Sequence, residues 1–169
     1  METNNTMPNN LITSSPHNLI PKVIHYCWFG GKPMPELALK CIESWKKYLP
    51  DYELRLWNED TFDVNSVPYV KEAYEARKFA FVTDYVRLWA LEKEGGVYLD
   101  TDVEVLRSLD TLLNDTAFIG LEESLALLPG TCVMGCEAHC QWVKDMLSTY
   151  DNERFVREDG SLDMTTNVQ

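Results

Sequence analysis

One segment constrains the fold more than any other part of the chain: residues 79–106, FAFVTDYVRLWALEKEGGVYLDTDVEVL. Val82 and Trp89 belong to a set of apolar residues at three- and four-residue spacing, which predicts an amphipathic helix with Thr83 as its N-cap. Gly95-Gly96 then allows the positive φ angles with which helices commonly end. The segment therefore predicts a helix, a tight glycine turn and a strand of reversed direction.

The strand at 97–106 alternates with period two, which predicts that Asp100 and Asp102 lie on one face. Like charges on one strand face repel each other, and a hard divalent cation would offset that repulsion. On a straight strand the two Cα atoms would be about 6.6 Å apart, so both carboxylates bind one ion directly only where the strand bends or ends. Otherwise one Asp binds the metal, while the other reaches it through water or binds a ligand hydroxyl. The alternative is a solvated strand edge.

Upstream of this segment the pattern predicts a β-α-β unit. Residues 23–29 are apolar and rich in aromatic and β-branched side chains, which is typical of a buried strand in a parallel sheet. An amphipathic helix is predicted at 36–48, with Leu37 and Leu39 in its apolar stripe, and a second strand at 52–57. The Gly-Gly-Lys-Pro loop after the first strand is where open α/β sheets place their ligands.

Further elements and one cysteine cluster follow from the remaining sequence. Periodicity predicts helices at 69–78, 109–113 and 141–150 and a strand at 117–121. A second candidate metal cluster lacks paired C-x-x-C knuckles and comes from one short stretch: Cys132, Cys136, His139 and Cys140. We therefore interpret the five cysteines as reduced thiols packed as small hydrophobes, with zinc as the alternative.

Composition excludes several classes of protein. A net charge of −12 disfavours nucleic acid and anionic membranes as partners, because both bind basic surfaces. The chain has no run of eighteen apolar residues and no signal-peptide pattern, so no transmembrane segment is predicted and a cytoplasmic location is expected. Residues 1–19 are polar and predict a flexible leader. The domain begins at residue 20, and 169 residues suit a single domain.

An ordered series of motifs resembles glycosyltransferase family 32, the D-x-D sugar-nucleotide transferases that include bacterial capsular-polysaccharide enzymes. The series is IPKVIHYCWFGGKPMPE, CIESWKKYLPDYELRLWNED, the central block quoted above, AFIGLEES and TTNVQ. It covers nearly all of the chain after the first twenty residues. The resemblance implies an α/β fold of the GT-A type over residues 20–169, with three layers, α/β/α, and a mixed, mostly parallel sheet.

The resemblance also implies roles for individual residues. Trp28 would stack on the nucleotide base with Tyr26 close by, whereas spacing alone favours Trp28 as a core residue. Asp84 and Arg87 would contact the donor sugar, whereas spacing alone is typical of an exposed helical ion pair. The remaining expected ligand contacts are Asp100 on ribose or sugar hydroxyls or on metal through water, Asp102 on Mn²⁺ or Mg²⁺, and Asn167 on the sugar.

The implied reaction moves a hexosyl unit from a nucleotide sugar, expected to be UDP-linked, to a glycan or lipid-linked glycan, with retention of configuration. Capsular or surface polysaccharide synthesis, peripheral to the inner membrane face, is the expected setting. Family members continue beyond residue 169 with a late His and Trp, so this chain is expected to lack its C-terminal part. Glu122 and Glu123 could face the acceptor or lie in a solvated loop.

Two alternatives remain from the sequence. The first is a truncated, non-catalytic domain that binds a nucleotide sugar or a partner. The second is a D-x-D phosphohydrolase with an aspartyl nucleophile, although Glu104 stands where those enzymes usually carry Thr or Val and the motif comes late in the chain.

Overall fold

The computed structural model describes residues 19–122 and 128–165, which form a sheet covered by helices. The predicted site residue Asn167 and residues 1–18 of the predicted leader lie outside these ranges. The elements are, in chain order, β1 (Val23–Cys27), α1 (Glu36–Tyr48), β2 (Glu53–Trp57), α2 (Pro68–Glu75), α3 (Phe79–Glu94), β3 (Gly96–Leu99), a 3₁₀ helix (Asp110–Asn114), β4 (Ala117–Glu122), β5 (Leu128–Cys136) and α4 (Gln141–Ser148). No helix within the described ranges is both long and apolar enough to cross a membrane.

The sheet has the strand order β2-β1-β3-β5-β4. β1 pairs in parallel with β2 and with β3, whereas β5 is antiparallel to both of its neighbours, β3 and β4. Four of the five strands in the described sheet therefore run in the same direction, which confirms the predicted mixed, mostly parallel sheet. The antiparallel strand β5 has no counterpart among the elements predicted from the sequence.

Alternation along the strands separates two helical layers. Ile24, Val97 and Leu99 point to one face, where they are buried with Trp45 of α1. Tyr98 points to the opposite face, where the apolar core contains residues of α2, α3 and α4. The chain is therefore a three-layer α/β/α structure, as predicted, and α3 lies on the side of the sheet opposite to α1.

The amino end of β3 is sealed by a glycine turn and a buried histidine. Gly95 has φ 64°, and a Cβ atom there would lie 2.5 Å from the backbone nitrogen of Ala138. His25 is fully buried, accepts a hydrogen bond at Nδ1 from Trp57 Nε1 (3.1 Å) and contacts Gly95 O through Nε2 (2.8 Å). Because the indole N–H only donates, Nδ1 is unprotonated and Nε2 carries the proton. Burial lowers the pKa of His25 below its ordinary value, against a smaller opposing effect of the Gly95 hydrogen bond.

Several predicted boundaries are corrected by the structure. α3 begins at Phe79, so Thr83 lies inside the helix and is not its N-cap. Leu37 and Leu39 are 60% and 52% exposed and lie outside the buried stripe of α1, although the helix has the predicted bounds. β3 ends at Leu99 rather than continuing to residue 106.

Candidate functional site

The two aspartates of the D-x-D sequence lie on a turn that follows β3. The Asp100 backbone N–H donates to Cys132 O of β5 at 2.9 Å, and its carbonyl accepts from the Val103 N–H at 3.0 Å. The prediction of a straight strand face shared by Asp100 and Asp102 is therefore wrong, because the chain turns directly after Leu99. The turn meets the condition under which two carboxylates of this spacing can both approach one cation.

Arg87 of α3 is the centre of a buried polar network next to that turn. Its Nη2 atom lies 3.0 Å from Asp84 Oδ1 and 3.5 Å from Asp100 Oδ1. Its Nη1 atom donates to the carbonyl oxygen (2.9 Å) and the hydroxyl oxygen (2.7 Å) of Thr131 in β5. The guanidinium also lies 4.9 Å from the ring centroid of Tyr98. Arg87 thus joins α3, β3, β5 and the acidic turn in one set of contacts.

Burial changes the interpretation of the Asp84–Arg87 pair. The two side chains are only 10% and 7% exposed, so the interpretation as an exposed helical ion pair is wrong. Burial raises the pKa of Asp84, and the Arg87 charge opposes that shift. Burial also disfavours the charged form of Arg87, but Tyr98, Asp100 and Asp84 together raise the pKa of the guanidinium, which keeps it cationic. The Arg87 guanidinium therefore holds a fixed positive charge against the acidic turn.

Tyr98 is the remaining member of this network. Its hydroxyl donates to Asp100 Oδ1 at 2.7 Å, and burial raises its pKa well above the ordinary value, so the phenol stays protonated. Within the described ranges, the recorded side-chain contacts of Asp100 fall on Oδ1. Arg87 and Tyr98 consequently orient the Asp100 carboxylate through one oxygen.

A cleft of about 730 Å³ opens at this end of the sheet. It lies at the carboxyl ends of β1 and β3, where open α/β sheets place their ligands. Its lining includes Trp28, Lys32, Arg77, Arg87, Asp100 and Asp102. Asp102 is exposed, while Asp100 and Trp28 are half-buried.

The loop after β1 holds Trp28 at the cleft. The Trp28 backbone N–H donates to Trp57 O at 2.9 Å, and its indole Nε1 donates to Lys32 O at 2.6 Å. The Gly30 N–H donates to Glu59 Oε1 at 2.6 Å. A Cβ atom at Gly30 would overlap the Phe79 ring, so the close approach requires glycine there. Trp28 is therefore held at the cleft by one hydrogen bond from its backbone N–H and one from its indole N–H.

The structure does not bring all predicted site residues together. Trp28, Arg87, Asp100 and Asp102 share the cleft, and Asp84 contacts Arg87 and is almost fully buried. Tyr26 is absent from the cleft lining within the described ranges, and it packs edge-on against Trp45 with ring centroids 5.4 Å apart. This packing supports a structural role for Tyr26, and its predicted contact with the nucleotide stays a prediction.

The donor set at the turn suits a hard cation. Carboxylate oxygens favour Mn²⁺ and Mg²⁺, and Mg²⁺ usually takes one or two protein carboxylates together with waters and substrate phosphates. Within the described ranges, no group of three His, Cys, Asp or Glu side chains is placed to hold a metal unaided. Asp100 and Asp102 therefore fit a cation that is shared with a bound ligand.

The cysteine-histidine cluster has other contacts. His139 Nδ1 lies 3.0 Å from Glu92 Oε1, and the His139 N–H donates to Glu92 O at 2.9 Å. Cys136 is fully buried in the core beneath α3, and burial raises its pKa to about 12. Cys136 and His139 therefore belong to the packing at the amino end of β3, where a neutral thiol behaves as a small hydrophobe, whereas Cys132 lies at the carboxyl end beside Asp100.

Tyr98 and Thr131 were not predicted as members of the site. Tyr98 could have been found, because an aromatic residue two positions before Asp100 falls on the same face of a strand. Thr131 gave no such signal, because β5 was not predicted and the contact spans forty-four residues.

A cleft at the carboxyl ends of the strands, lined by an acidic turn and by Arg87, is typical of α/β proteins that bind polar ligands at that edge of the sheet. Residues 35–119, just over half of the chain, match the family model "Glycosyltransferase sugar-binding region containing DXD motif". The chain therefore belongs to this glycosyltransferase family. Its Asp100-Thr101-Asp102 sequence lies within the matched region.

Named relatives support the family assignment. The chain is 34% identical over 115 residues to Inositol phosphoceramide mannosyltransferase 3 of Schizosaccharomyces pombe, covering 66% of this chain and 32% of that protein. It is 31% identical over 115 residues to Mannosyl phosphorylinositol ceramide synthase CSH1 of Saccharomyces cerevisiae, covering 66% and 30%. It is 27% identical over 111 residues to Subversion of eukaryotic traffic protein A of Legionella pneumophila, covering 50% and 17%. The chain thus spans about a third of the length of these yeast relatives.

A solved structure supports the fold. The PaToxG glycosyltransferase superimposes with a TM-score of 0.61 at 18% identity, over 76% of this chain and 59% of that one. At this level of identity the likeness concerns the fold alone, and it confirms the predicted GT-A-like α/β architecture. None of the three named relatives is described as a capsular-polysaccharide enzyme.

Proposed function

We propose that this chain is a metal-dependent glycosyltransferase domain that moves a hexosyl unit from a nucleotide sugar to a hydroxyl group. The proposal rests mainly on the cleft, because the family's D-x-D turn, the indole ring of Trp28 and the buried guanidinium of Arg87 all line it. Its volume of about 730 Å³ is in the range of small-molecule and cofactor sites. An indole face and a hard-metal turn in one cleft suit a base at one end of a ligand and a diphosphate at the other.

Five residues in or beside the cleft have roles in this proposal. Trp28 stacks on the nucleotide base, and Asp102 holds Mn²⁺ or Mg²⁺ with Asp100, directly or through water. When bound, the metal supplies charge stabilisation to the departing nucleoside diphosphate. Arg87 fixes Asp100 in place and, with Asp84, orients the sugar. Asp100 also accepts hydrogen bonds from hydroxyls of the ribose or the sugar.

The proposed donor and acceptor rest on the family assignment and on the names of the yeast relatives. The family supports a nucleotide sugar, for which UDP was the expectation from the sequence, while the names of the yeast relatives specify mannosyl transfer. Those names also specify inositol phosphoceramide, which favours a lipid-linked acceptor over a free glycan. Capsular polysaccharide synthesis has no support in these names. Retention of configuration, a role for Asn167 and a cytoplasmic, membrane-peripheral location stay predictions.

A thermal-shift panel tests the donor and the metal together. UDP-glucose, UDP-galactose, GDP-mannose and the free nucleotides are added with Mn²⁺, with Mg²⁺ or with EDTA. A ligand at a hundred times its Kd stabilises the native state by about 2.7 kcal/mol, which at about 2–4 °C per kcal/mol is a shift well above the noise. We expect a shift for one nucleotide class only when metal is present. Equal shifts in EDTA would remove the metal from the proposal.

Trp28→Ala tests base stacking. Because free UDP and a UDP-sugar carry the same base, the substitution should weaken both by the same factor, about 5- to 150-fold for a stacking energy of ~1–3 kcal/mol. Trp142→Ala is the matched control, since Trp142 is also half-buried but belongs to α4, outside the cleft lining. Unchanged nucleotide affinity in Trp28→Ala, measured per folded molecule, would contradict stacking.

A nucleotide-sugar-binding domain without catalysis is the second candidate, because the contacts described in the cleft concern binding and orientation of a ligand. Metal-dependent donor binding without sugar transfer or donor hydrolysis would support it. The phosphohydrolase alternative is not favoured, because the motif follows the third strand in chain order and lies within the glycosyltransferase family match.

A further inference from the structure

The link between α2 and α3 contains a residue in an unfavourable backbone conformation. Arg77 has φ 58°, in the left-handed region that side chains other than glycine rarely adopt. The Arg77 N–H donates to Tyr74 O and the Lys78 N–H donates to Ala73 O, both at 2.9 Å. This is the Schellman pattern of a helix C-terminus, in which the left-handed position is usually glycine. The chain thus places a large cation where glycine would be more stable.

Arg77 lines the same cleft as the acidic turn. The other cations of the lining are Lys32 and Arg87, and Arg87 is already held by Asp84, Asp100 and Thr131. Arg77 is exposed, and within residues 19–122 and 128–165 it forms no ion pair with a carboxylate. Its guanidinium therefore has hydrogen-bonding capacity that the carboxylates of the described ranges do not use.

Charge balance indicates what the free guanidinium would bind. A divalent cation on Asp100 and Asp102 leaves the turn close to neutral, so the two or more negative charges of a diphosphate need further cations. Arginine presents a planar set of donors that matches phosphate oxygens in pairs. Strained backbone conformations that persist in folded proteins cluster at ligand sites.

We propose that Arg77 is a phosphate-binding residue of the cleft and that it contacts the diphosphate of the nucleotide sugar. This inference rests on the proposed function for the identity of the ligand, but the anion contact can be measured separately. It assigns the recognition of a negatively charged ligand group to the α2–α3 link, a role that neither the family description nor the names of the relatives mention.

The experiment measures stability and binding in the same variants. Arg77→Gly removes both the cation and the backbone strain, whereas Arg77→Lys keeps a charge and the strain. Lys78→Gln is the matched control, because it removes the same charge from the next residue, which is outside the described cleft lining. Calorimetry with Mn²⁺ present uses uridine, UMP, UDP, UDP-glucose, GDP, GDP-mannose, inorganic pyrophosphate and glycerophosphoinositol as probes.

We expect opposite effects on the two readouts. Arg77→Gly should raise Tm by about 2–4 °C, because glycine adopts a left-handed conformation without strain. The same variant should bind the preferred nucleoside diphosphate about 10- to 100-fold more weakly, the loss of one charged hydrogen-bonding group. Uridine binding should not change, Arg77→Lys should lose less affinity, and Lys78→Gln should lose almost none.

Each of the other outcomes tests either the Arg77 contact or the proposed function. Equal UDP, GDP and pyrophosphate affinity in Arg77→Gly and wild type would overturn the inference and leave the proposed function intact. Arg77-dependent pyrophosphate binding without any nucleotide binding would support the anion contact and overturn the proposed function. Arg77-dependent binding of glycerophosphoinositol alone would overturn the assignment to the donor, because the phosphate would then belong to the acceptor. Wild type that binds none of the probes would overturn both.

Discussion

The two ends of β3 both carry buried polar groups, but these groups differ in what they bind. At the amino end, His25 uses both ring nitrogens on protein partners, Trp57 and Gly95. At the carboxyl end, Arg87 is also buried, but the Asp100 carboxylate that it orients belongs to a turn on which Asp102 is exposed at the cleft. At the amino end, the buried polar groups bind one another. At the carboxyl end, carboxylate oxygens of the acidic turn remain available to a ligand in the cleft, which is what a ligand site requires.

The largest expected effect comes from removing the cation at the carboxyl end. Arg87→Met leaves Asp84 buried without its charged partner, and breaking a buried pair in this way typically costs about 3–5 kcal/mol. The measurement is the free energy of unfolding in urea. The double variant Asp84→Asn/Arg87→Met should recover part of the loss, because no stranded carboxylate remains. A loss below about 1 kcal/mol in Arg87→Met would show that the pair is not essential to this end.

A smaller effect is expected from Asp100, which belongs to the network and to the ligand site. Asp100→Ala removes the acceptor of the buried Tyr98 hydroxyl and should cost about 1–3 kcal/mol. It should also abolish metal-dependent donor binding. The control is the double variant Asp100→Ala/Tyr98→Phe, in which the unpaired hydroxyl is absent and stability should partly return. An unchanged free energy of unfolding in Asp100→Ala would contradict a stabilising role of the Asp100 carboxylate in the buried network.

At the amino end of β3, His25 should make the free energy of unfolding depend on pH. The pKa of His25 is lower in the folded state than in the unfolded state, so the unfolded chain binds a proton first as pH falls. This contribution is complete above the unfolded pKa of about 6.5 and is lost as pH falls towards the folded value. The slope from this one group is at most about 1.4 kcal/mol per pH unit.

The pH measurement compares wild type with His25→Gln at 0.5-unit steps from pH 7.5 to 5. His25→Gln should be less stable at neutral pH but should lack the His25 component between pH 6.5 and the folded pKa. Identical pH profiles would contradict the neutral Nε2-protonated histidine inferred from its hydrogen bonds.

The smallest effect on stability, with a large effect on binding, is expected at Asp102. Its side chain is exposed, and substitutions at such positions usually change stability by no more than about 0.5 kcal/mol. Asp102→Asn removes the charge that favours a hard cation, so Mn²⁺ affinity measured in the presence of UDP should fall by at least about tenfold. Glu104→Gln, which neutralises an exposed carboxylate outside the described cleft lining, is the matched control. Equal Mn²⁺ affinity in both variants would return Asp102 to a solvated loop position.

Local pattern predicted the parallel half of the fold well. The bounds of α1 at 36–48 are confirmed, and β1, β2 and the glycine turn lie within two residues of their predicted places. These elements have strong apolar periodicity or glycines at positions of positive φ, and both signals are local in the sequence. β5 lacks such a signal, because LPGTCVMGC combines Pro, two Gly and two Cys with little alternation.

Four residues of the candidate cleft were predicted from the sequence, but its geometry was not. The D-x-D pair, Trp28 and Arg87 were predicted, and the structure places them in one cleft. The burial of Arg87 could not be predicted from its own helix, because the enclosing contacts come from Thr131 and Asp100, far away in the sequence. The end of β3 at Leu99 was missed for a similar reason, since period-two alternation continues through a turn that tertiary contacts impose.

The position of β5 has a consequence for biosynthesis. β5 pairs with β3 in the middle of the sheet, yet Cys136 follows its partner Gly96 by forty residues and emerges from the ribosome after β4. Until that stretch has been translated, β3 has an open edge, and both Arg87 and the Asp100 amide lack their partners in Thr131 and Cys132. Non-local pairing of this kind slows folding and leaves a nascent chain exposed to wrong partners. The acidic turn and Arg87 therefore cannot form their full set of described contacts until residue 132 has been synthesised.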